Sequence, residues 1–399
     1  MTGLLRFRGR LVVVFAATAL ALPPTSAFAL EAGWPPQLVG GALAAMTIAG
    51  VVTAPAWGAL DDRVGARGLA TAAVVSAAAA IALCCAALAG FEPGAVIPAL
   101  IIFGIGSGAL DAMVSARIQR RGLTHALPRL RGYGSLGWAV GLALASLLVW
   151  AGLGAWVFAA AALCCLALAL LGYREPVVAV AVDAPTVHRG ALSPPVLLLL
   201  LVGLPVPVAA YGYLLYSSTA LDALGGIAPG VPLLTLLLLA VIEVPVFALI
   251  APLIAGRRIT VLYAVLLLLL AASWLPFVMP TPDWLRTVAL LPYTLAVVVW
   301  SSTQPAMVRS FAPNRAAGLA QATAASLTKC AAAVVSGVGI GAIDSAFGGR
   351  AAPLALLVLA LAGMLLLSLA IRLFPDLRSV TVPAAVTPIE RTHHAHCDR

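Results

Sequence analysis

Charged residues are scarce in this sequence of 399 residues: only 9% are Asp, Glu, Lys or Arg, against about 25% in a typical soluble protein. Hydrophobic residues make up 63% of the chain, and the mean hydropathy is +1.09. Such a composition cannot cover a water-facing surface, so lipid must be the solvent for most of the chain. This excludes a soluble enzyme, a secreted disulfide scaffold and a disordered tail protein. In a soluble protein a net charge of +9 would suggest binding to nucleic acid. In a chain surrounded by lipid it does not, and we predict no nucleic-acid partner.

The residues that build common enzyme sites are also few. The six cysteines have neither disulfide nor zinc spacing, and five of them fall within apolar segments. The five histidines lie outside those segments, which argues against an intramembrane catalytic cluster. A phosphate-binding Gly-rich loop with its lysine is missing. We therefore predict no metal, no cofactor and no enzymatic activity, and the tail from 374 to 399 is too short for a signalling receptor.

Long apolar segments dominate the rest of the sequence. A helix needs about 20 apolar residues to cross the hydrocarbon of a bilayer. The chain offers twelve such segments, which predicts an all-α membrane protein with twelve transmembrane helices. The predicted spans are 11–30, 37–60, 68–90, 96–117, 130–152, 154–172, 194–218, 231–254, 259–280, 284–307, 317–342 and 351–373.

The arginines predict an orientation. Basic residues are enriched in the cytoplasmic loops of membrane proteins. If the N-terminus is cytoplasmic, all arginines except Arg286 and Arg350 fall on the cytoplasmic side. We therefore expect a multi-pass protein of the cell membrane, inner or plasma, with both termini in the cytoplasm.

The longest polar stretch between spans divides the chain into two halves. It runs from Tyr173 to Ser193 and separates six spans from six. The sequence thus predicts an N-terminal six-helix bundle, a cytoplasmic linker, a C-terminal six-helix bundle and a cytoplasmic tail. Their bounds are 1–172, 173–193, 194–373 and 374–399.

The loop after span 2 carries a recognisable motif, Gly58-Ala59-Leu60-Asp61-Asp62-Arg63-Val64-Gly65-Ala66-Arg67. It resembles the signature loop of the major facilitator superfamily, Gly-x-Leu-x-Asp-Arg-x-Gly-x-Arg, and this resemblance implies a gating loop. Gly58 would permit a close approach of two helices, and Gly65 a tight turn. Asp62 is placed to pair with a basic residue near a helix end, next to Arg63 and Arg67.

A second, narrower resemblance lies at the start of span 5, in Arg129-Leu130-Arg131-Gly132-Tyr133-Gly134-Ser135-Leu136-Gly137-Trp138. This segment is similar to one in the lactose permease, nucleoside symporter and phenylpropionate permease branch of the superfamily. The resemblance implies that Arg131 and Trp138 bind substrate, with Asp111 as a looser match for the acid late in span 4. Glu243 in span 8 and Lys329 in span 11 resemble charged positions of the same permeases.

The sequence also departs from lactose permease. Span 10 has no ionisable residue between Leu290 and Trp300, and span 7 offers tyrosines where that permease has acids. The proton mechanism of that permease therefore does not transfer whole. Gly141 is followed by Leu142 and not by the proline of drug antiporters, which weighs against drug export. Tyr211, Tyr213, Trp300 and Gln304 are further candidates for a cavity wall in the C-terminal half.

The charged residues that we expect to be buried within the predicted spans are Asp111, Arg131, Glu243 and Lys329. A charge at the bilayer centre costs roughly 2.5–3.5 kcal/mol on insertion scales, so each is a hypothesis about function. Lys329 is the only lysine beside 22 arginines (23 basic residues less one), and lysine can lose its proton where arginine cannot. The alternatives are a static Lys329–Glu243 ion pair, a snorkelling lysine, a structural Asp111–Arg131 brace, and a Trp138 that only packs.

These observations favour a secondary active transporter that moves a small organic solute by alternating access and is coupled to protons. The solute would be a sugar, a nucleoside or an aromatic acid, and the alternative is an efflux transporter for sugars or drug-like compounds. Asp111 and Glu243 are the candidate proton carriers, with Lys329 as the tuning cation. We expect a monomer whose partners are the substrate, protons and membrane lipid.

Overall fold

A computed structural model describes residues 2–64, 66–120, 127–173, 193–212, 231–254, 256–311, 317–347 and 350–382. Within these ranges the side chains of Asp62, Arg63 and Arg131 are not described. Gly65, nearly all of the predicted linker and the tail beyond residue 382 also lie outside the description. The predictions made for these residues therefore remain predictions.

The described chain is almost entirely helical, and its apolar helices confirm the predicted fold of twelve transmembrane helices. Among the described residues, ten helices are long and apolar enough to cross a membrane, and Pro93–Ser107 and Leu236–Phe247 are shorter apolar helical stretches that complete the set. From span 1 to span 12 the helices are Thr2–Glu31, Pro36–Val64, Ala66–Leu88, Pro93–Ser107 with Leu110–Arg120, Leu127–Trp150, Trp156–Tyr173, Pro194–Gly212, Val231–Ile254, Ile259–Val278, Asp283–Val288 with Leu290–Phe311, Ala317–Val334 with Val335–Ile340 and Gly341–Phe347, and Ala351–Leu373.

Contacts between distant helix ends define the two sides of the molecule. Arg10 near the start of span 1 donates from Nη2 to the Leu171 carbonyl at the end of span 6 (2.8 Å). We call this end, where the N-terminus lies, the terminal side. At the opposite side, the Trp34 indole donates to the Phe91 carbonyl (3.1 Å) and joins the loop after span 1 to the loop after span 3.

Small residues bring the helices of the N-terminal half close together. A Cβ added to Gly104 or Gly108 of span 4 would overlap the backbone of span 2 at Met46 and Gly50. Helices in lipid associate through such close backbone contacts, since there is little hydrophobic force between them. The same contact fixes the relative height of spans 2 and 4, which together carry the terminal-side ion pair described below.

Two spans differ from uninterrupted helices. Span 4 is broken by a turn at Gly108 and Ala109, so that Asp111 lies in the first turn of its second helix. Span 11 contains a π-helical stretch, Val335–Ile340, between Ala317–Val334 and Gly341–Phe347. Such π-helical turns are rare and are found often at functional sites.

Candidate substrate site and gates

Glu243 links the two halves. It lies on the inner face of span 8, roughly half a turn away from Leu238, Val241 and Leu249, which are 59%, 51% and 67% exposed and face outward. Its carboxylate oxygen Oε2 accepts a hydrogen bond from the Ser135 hydroxyl of span 5 at 3.0 Å. Spans 5 and 8 pack closely against each other along this interface. An ionisable group on the lipid-remote face thus forms a polar contact between the N-terminal and C-terminal halves.

Lys329 lies in span 11 on the interior face of the bundle, yet its side chain is exposed. By helical spacing it shares a face with Ala332 and Ala333, both buried, and lies opposite the outward-facing Leu327 and Val334. Exposure on that face places its ammonium group in space between the helices that is open to solvent. Among the described residues Lys329 has no ion-pair partner, so the static pair with Glu243 is not formed in this structure.

The other predicted binding residues are only partly described. Asp111 is half-buried at the start of the second helix of span 4. Trp138 is half-buried and packs against the main hydrophobic core. Arg131 belongs to the helix of span 5, one turn before Ser135 and two turns before Trp138. Because its side chain is outside the description, the predicted Asp111–Arg131 pair remains a prediction.

The further candidates for the cavity wall of the C-terminal half lie at different places in the structure. Trp300 is buried inside the C-terminal half, where its ring lies edge-on to Tyr263 (centroids 5.8 Å apart), so it is a core residue and not a wall residue. Tyr211 of span 7 comes near the Thr47 side chain of span 2 and therefore lies at the contact between halves. Gln304 is buried, and its Nε2 has no hydrogen-bond partner among the described residues. Tyr213 lies outside the described residues.

The terminal side of the N-terminal half is fastened by a buried ion pair. Asp61, at the end of span 2, is 1% exposed and accepts hydrogen bonds from Nη2 and Nε of Arg117 at the end of span 4, the latter at 3.4 Å. The side chain of Asp62, which the motif predicts to pair with a basic residue, is not described, so that pairing remains a prediction. The acid that the structure shows pairing is Asp61.

The glycine that permits close approach near the signature loop is Gly68 and not the predicted Gly58. A Cβ at Gly58 would meet no atom within 4 Å among the described residues, whereas a Cβ at Gly68 would collide with the backbone of Asp61. Gly68 is in the first turn of span 3, so its close contact with the backbone of Asp61 fixes the end of span 2 against the start of span 3. Arg67 beside it is exposed.

We expect Asp61→Asn to destabilise the protein by about 3–5 kcal/mol, because it strands the buried Arg117 charge. Thermal or denaturant unfolding in detergent measures this loss. The double variant Asp61→Asn, Arg117→Gln should regain part of the stability, since no uncompensated charge remains. Asp62→Asn is the matched control, and equal destabilisation by both single changes would contradict the assignment of the pair to Asp61.

The opposite side is closed by a backbone contact between the halves. A Cβ at Gly40, near the start of span 2, would overlap the backbone of Gly337 in the π-helical stretch of span 11, and the reverse also holds. Spans 2 and 11 pack together here, while Lys329 on the same span remains exposed toward the terminal side. The described helices therefore bring the two halves into backbone contact at the opposite side.

Gly40→Ala is expected to separate spans 2 and 11 and to favour the state open at the opposite side. Overpacking of this kind changes the free energy by about 1–3 kcal/mol, which predicts at least about fivefold faster labelling of a buried cysteine beneath the contact. Ser336→Cys on a cysteine-free background supplies that reporter. Gly41→Ala is the control, because a Cβ there meets no atom within 4 Å among the described residues. Equal labelling rates for the two alanine variants would show that the contact does not act as a gate.

Comparison with solved structures shows the same architecture over nearly the whole chain. A mutant of the nucleoside transporter NupG superposes with a TM-score of 0.76 at 14% identity, covering 93% of this chain and 99% of that one. A D-xylose–proton symporter superposes with a TM-score of 0.74 at 17% identity, covering 95% and 98%. The human organic anion transporter MFSD10 gives a TM-score of 0.62 at 18% identity, covering 91% and 98%. At these identities the likeness establishes the fold.

No curated protein sequence shows significant similarity to the chain. A family model does match, and it covers residues 11–337 under the description Major Facilitator Superfamily. This range includes the signature loop, the span-5 segment, Glu243 and Lys329, and it extends over both halves. The multi-pass protein described here therefore belongs to the Major Facilitator Superfamily of membrane solute transporters.

Proposed function

We propose that the protein is a proton-coupled transporter that moves a small polar or aromatic organic solute by alternating access. The solute class is a sugar, a nucleoside or an aromatic acid. The protein would work as a monomer in the cell membrane, with both termini cytoplasmic. The observation that carries the proposal is the Ser135–Glu243 hydrogen bond, which places an ionisable group at the contact between two halves that must move relative to each other.

Protonation of Glu243 can be tied to this movement through the strength of that bond. A hydrogen bond to a carboxylate is roughly twice as strong as one between neutral groups. Proton uptake by Glu243 therefore weakens a link between spans 5 and 8, and proton release restores it. The halves can then exchange between two arrangements around a midplane site, as in other transporters built from repeats.

The solute would bind at Lys329, Trp138 and Arg131, the residues that the sequence predicts for the site. The exposed ammonium of Lys329 can donate to hydroxyl or carboxylate oxygens of a solute. The indole of Trp138 offers an apolar face for a sugar or aromatic ring, and Arg131 offers a planar fork for a carboxylate. The names of the structural neighbours, a nucleoside transporter and a xylose–proton symporter, agree with these solute classes.

Uptake into proteoliposomes tests the proposal. Purified protein should accumulate at least one radiolabelled sugar, nucleoside or aromatic acid when a proton gradient is imposed, and a protonophore should abolish that accumulation. Protein-free vesicles are the control. If a solute is transported but its accumulation ignores the proton gradient, the coupling part of the proposal is wrong.

Efflux of sugars or drug-like compounds is the second candidate. It draws support from the backbone contact between the halves at the opposite side, which would leave the terminal side for loading of the solute. Vesicles with the protein inserted in known orientations, each with the proton gradient imposed in both directions, separate the two candidates. Accumulation in the direction of proton flow indicates symport, which drives import under an inward proton gradient. Accumulation against the direction of proton flow indicates antiport, which drives export.

A further inference from the structure

The chain does not leave the bundle at the end of span 12. After a short 3₁₀ helix, Pro375–Arg378, residues 380–382 pair with the loop between spans 8 and 9. The amide of Ile259 donates to the Val380 carbonyl (3.0 Å), and that of Val382 to the Arg257 carbonyl (2.9 Å). Leu377 and Val382 are 2% and 6% exposed. We call residues 375–382 the C-terminal strap.

The strap gathers basic side chains from distant parts of the sequence. Arg257 and Arg258 are exposed in the loop, and Arg258 is paired directly with Thr381 of the strap. Arg378 is exposed on the strap itself, and Arg372 is exposed in the last turn of span 12. The described segments that meet here contribute one exposed acid, Asp376. The result is a strongly basic patch at the terminal side of the C-terminal half.

The patch borders on a lipid-facing surface. Leu253 at the end of span 8 is 65% exposed, and Leu369 and Leu373 at the end of span 12 are 46% and 60% exposed. Exposed leucines on membrane spans mark the level of the acyl chains. The arginines follow within a few residues along the chain, so they lie where the hydrocarbon ends and the headgroups begin.

We propose that the C-terminal strap and the loop between spans 8 and 9 form a binding site for the headgroup of an anionic phospholipid. Guanidinium groups bind phosphate through paired hydrogen bonds, and the adjacent leucines contact the acyl chains of the same lipid. A lipid bound here would join the terminal end of span 8 to the strap. The strap supplies the geometry, because without it Arg378 is not held beside Arg257 and Arg258.

The test measures phosphatidylglycerol binding to the purified full-length protein in neutral detergent, by native mass spectrometry or by a fluorescent-lipid titration, with phosphatidylcholine as the uncharged comparison. The triple variant Arg257→Gln, Arg258→Gln, Arg378→Gln should bind phosphatidylglycerol at least about tenfold more weakly. Arg350→Gln, which removes an exposed arginine from the opposite side, should leave binding unchanged.

Two substitutions at Val382, neither of which changes the charge of the protein, test the contribution of the strap by itself. Val382→Ala and Val382→Pro both remove the buried isopropyl group, but only proline removes the amide that donates to Arg257. We expect Val382→Pro to weaken phosphatidylglycerol binding severalfold relative to Val382→Ala, with both proteins monodisperse. If the two bind alike, the strap does not build the site.

Two further outcomes overturn the proposal. If Arg350→Gln weakens phosphatidylglycerol binding as much as the triple variant does, the attraction is diffuse and not local. If glycerol phosphate at millimolar concentration displaces the lipid completely, the site binds free phosphate and the acyl contacts are irrelevant. Transport need not be measured in any arm, so the result is independent of the proposed function.

Discussion

Glu243→Gln is expected to abolish accumulation of solute against a gradient while leaving solute binding and solute exchange intact. Glutamine resembles the protonated carboxyl group in shape and charge, so the variant cannot alternate between a strong and a weak link to Ser135. Exchange needs only the loaded protein to reorient, whereas accumulation needs proton release. Proteoliposome accumulation, compared with counterflow of the same solute, measures the two separately.

Ser135→Ala is the matched partner change, because it removes the same hydrogen bond and keeps the carboxylate. A hydrogen bond to a charged group contributes about 1.5–3 kcal/mol, so the balance between the two arrangements should shift by about tenfold or more. We expect altered rates and weakened coupling, because protonation of Glu243 then no longer changes the strength of a link between spans 5 and 8. Normal accumulation by Glu243→Gln would contradict the role of Glu243 and leave Asp111 as the next candidate carrier.

Lys329→Arg is the second change with a large expected effect. Arginine keeps the positive charge but does not release its proton, and its planar fork replaces a compact ammonium group. If Lys329 donates to the solute or loses its proton during the cycle, the variant should still bind solute but fail to accumulate it. Uptake under an imposed proton gradient, together with an equilibrium binding assay, measures this difference.

Thermal stability distinguishes a role of Lys329 in solute binding or coupling from a purely structural role. Lys329 is exposed and has no ion-pair partner among the described residues, so Lys329→Gln should unfold at nearly the same temperature as the parent protein. A large loss of thermal stability in Lys329→Gln would indicate a structural pair. Full accumulation by Lys329→Arg would show that coupling does not require this lysine to change its charge.

The sequence predicted well the features that depend on local composition and on short motifs. Twelve spans follow from the length of the apolar runs, since a helix in lipid satisfies its own backbone and needs no partner to be recognised. The family resemblance rests on short motifs of fixed spacing, such as the loop from Gly58 to Arg67. Both kinds of signal are independent of how the helices pack.

The features that the sequence did not predict depend on packing between distant segments. Asp61 falls on a variable position of the motif and Asp62 on its acidic position, so nothing local marks Asp61 as the acid that helix rotation turns toward Arg117. Ser135 lies inside the segment that drew attention to Arg131 and Trp138, but nothing local marks a serine as the partner of Glu243. The strap requires residues 257 and 382 to meet, which no local pattern encodes.

Distance measurements between spin labels on the two sides of the membrane test alternating access most directly. On a cysteine-free background, one pair at exposed positions Gln37 and Ser345 reports the opposite side, and another at Arg67 and Arg257 reports the terminal side. Saturating transported solute in lipid nanodiscs should lengthen the Gln37–Ser345 distance and shorten the Arg67–Arg257 distance. Changes of the same sign in both pairs, or no change in either while solute binds, would contradict the account.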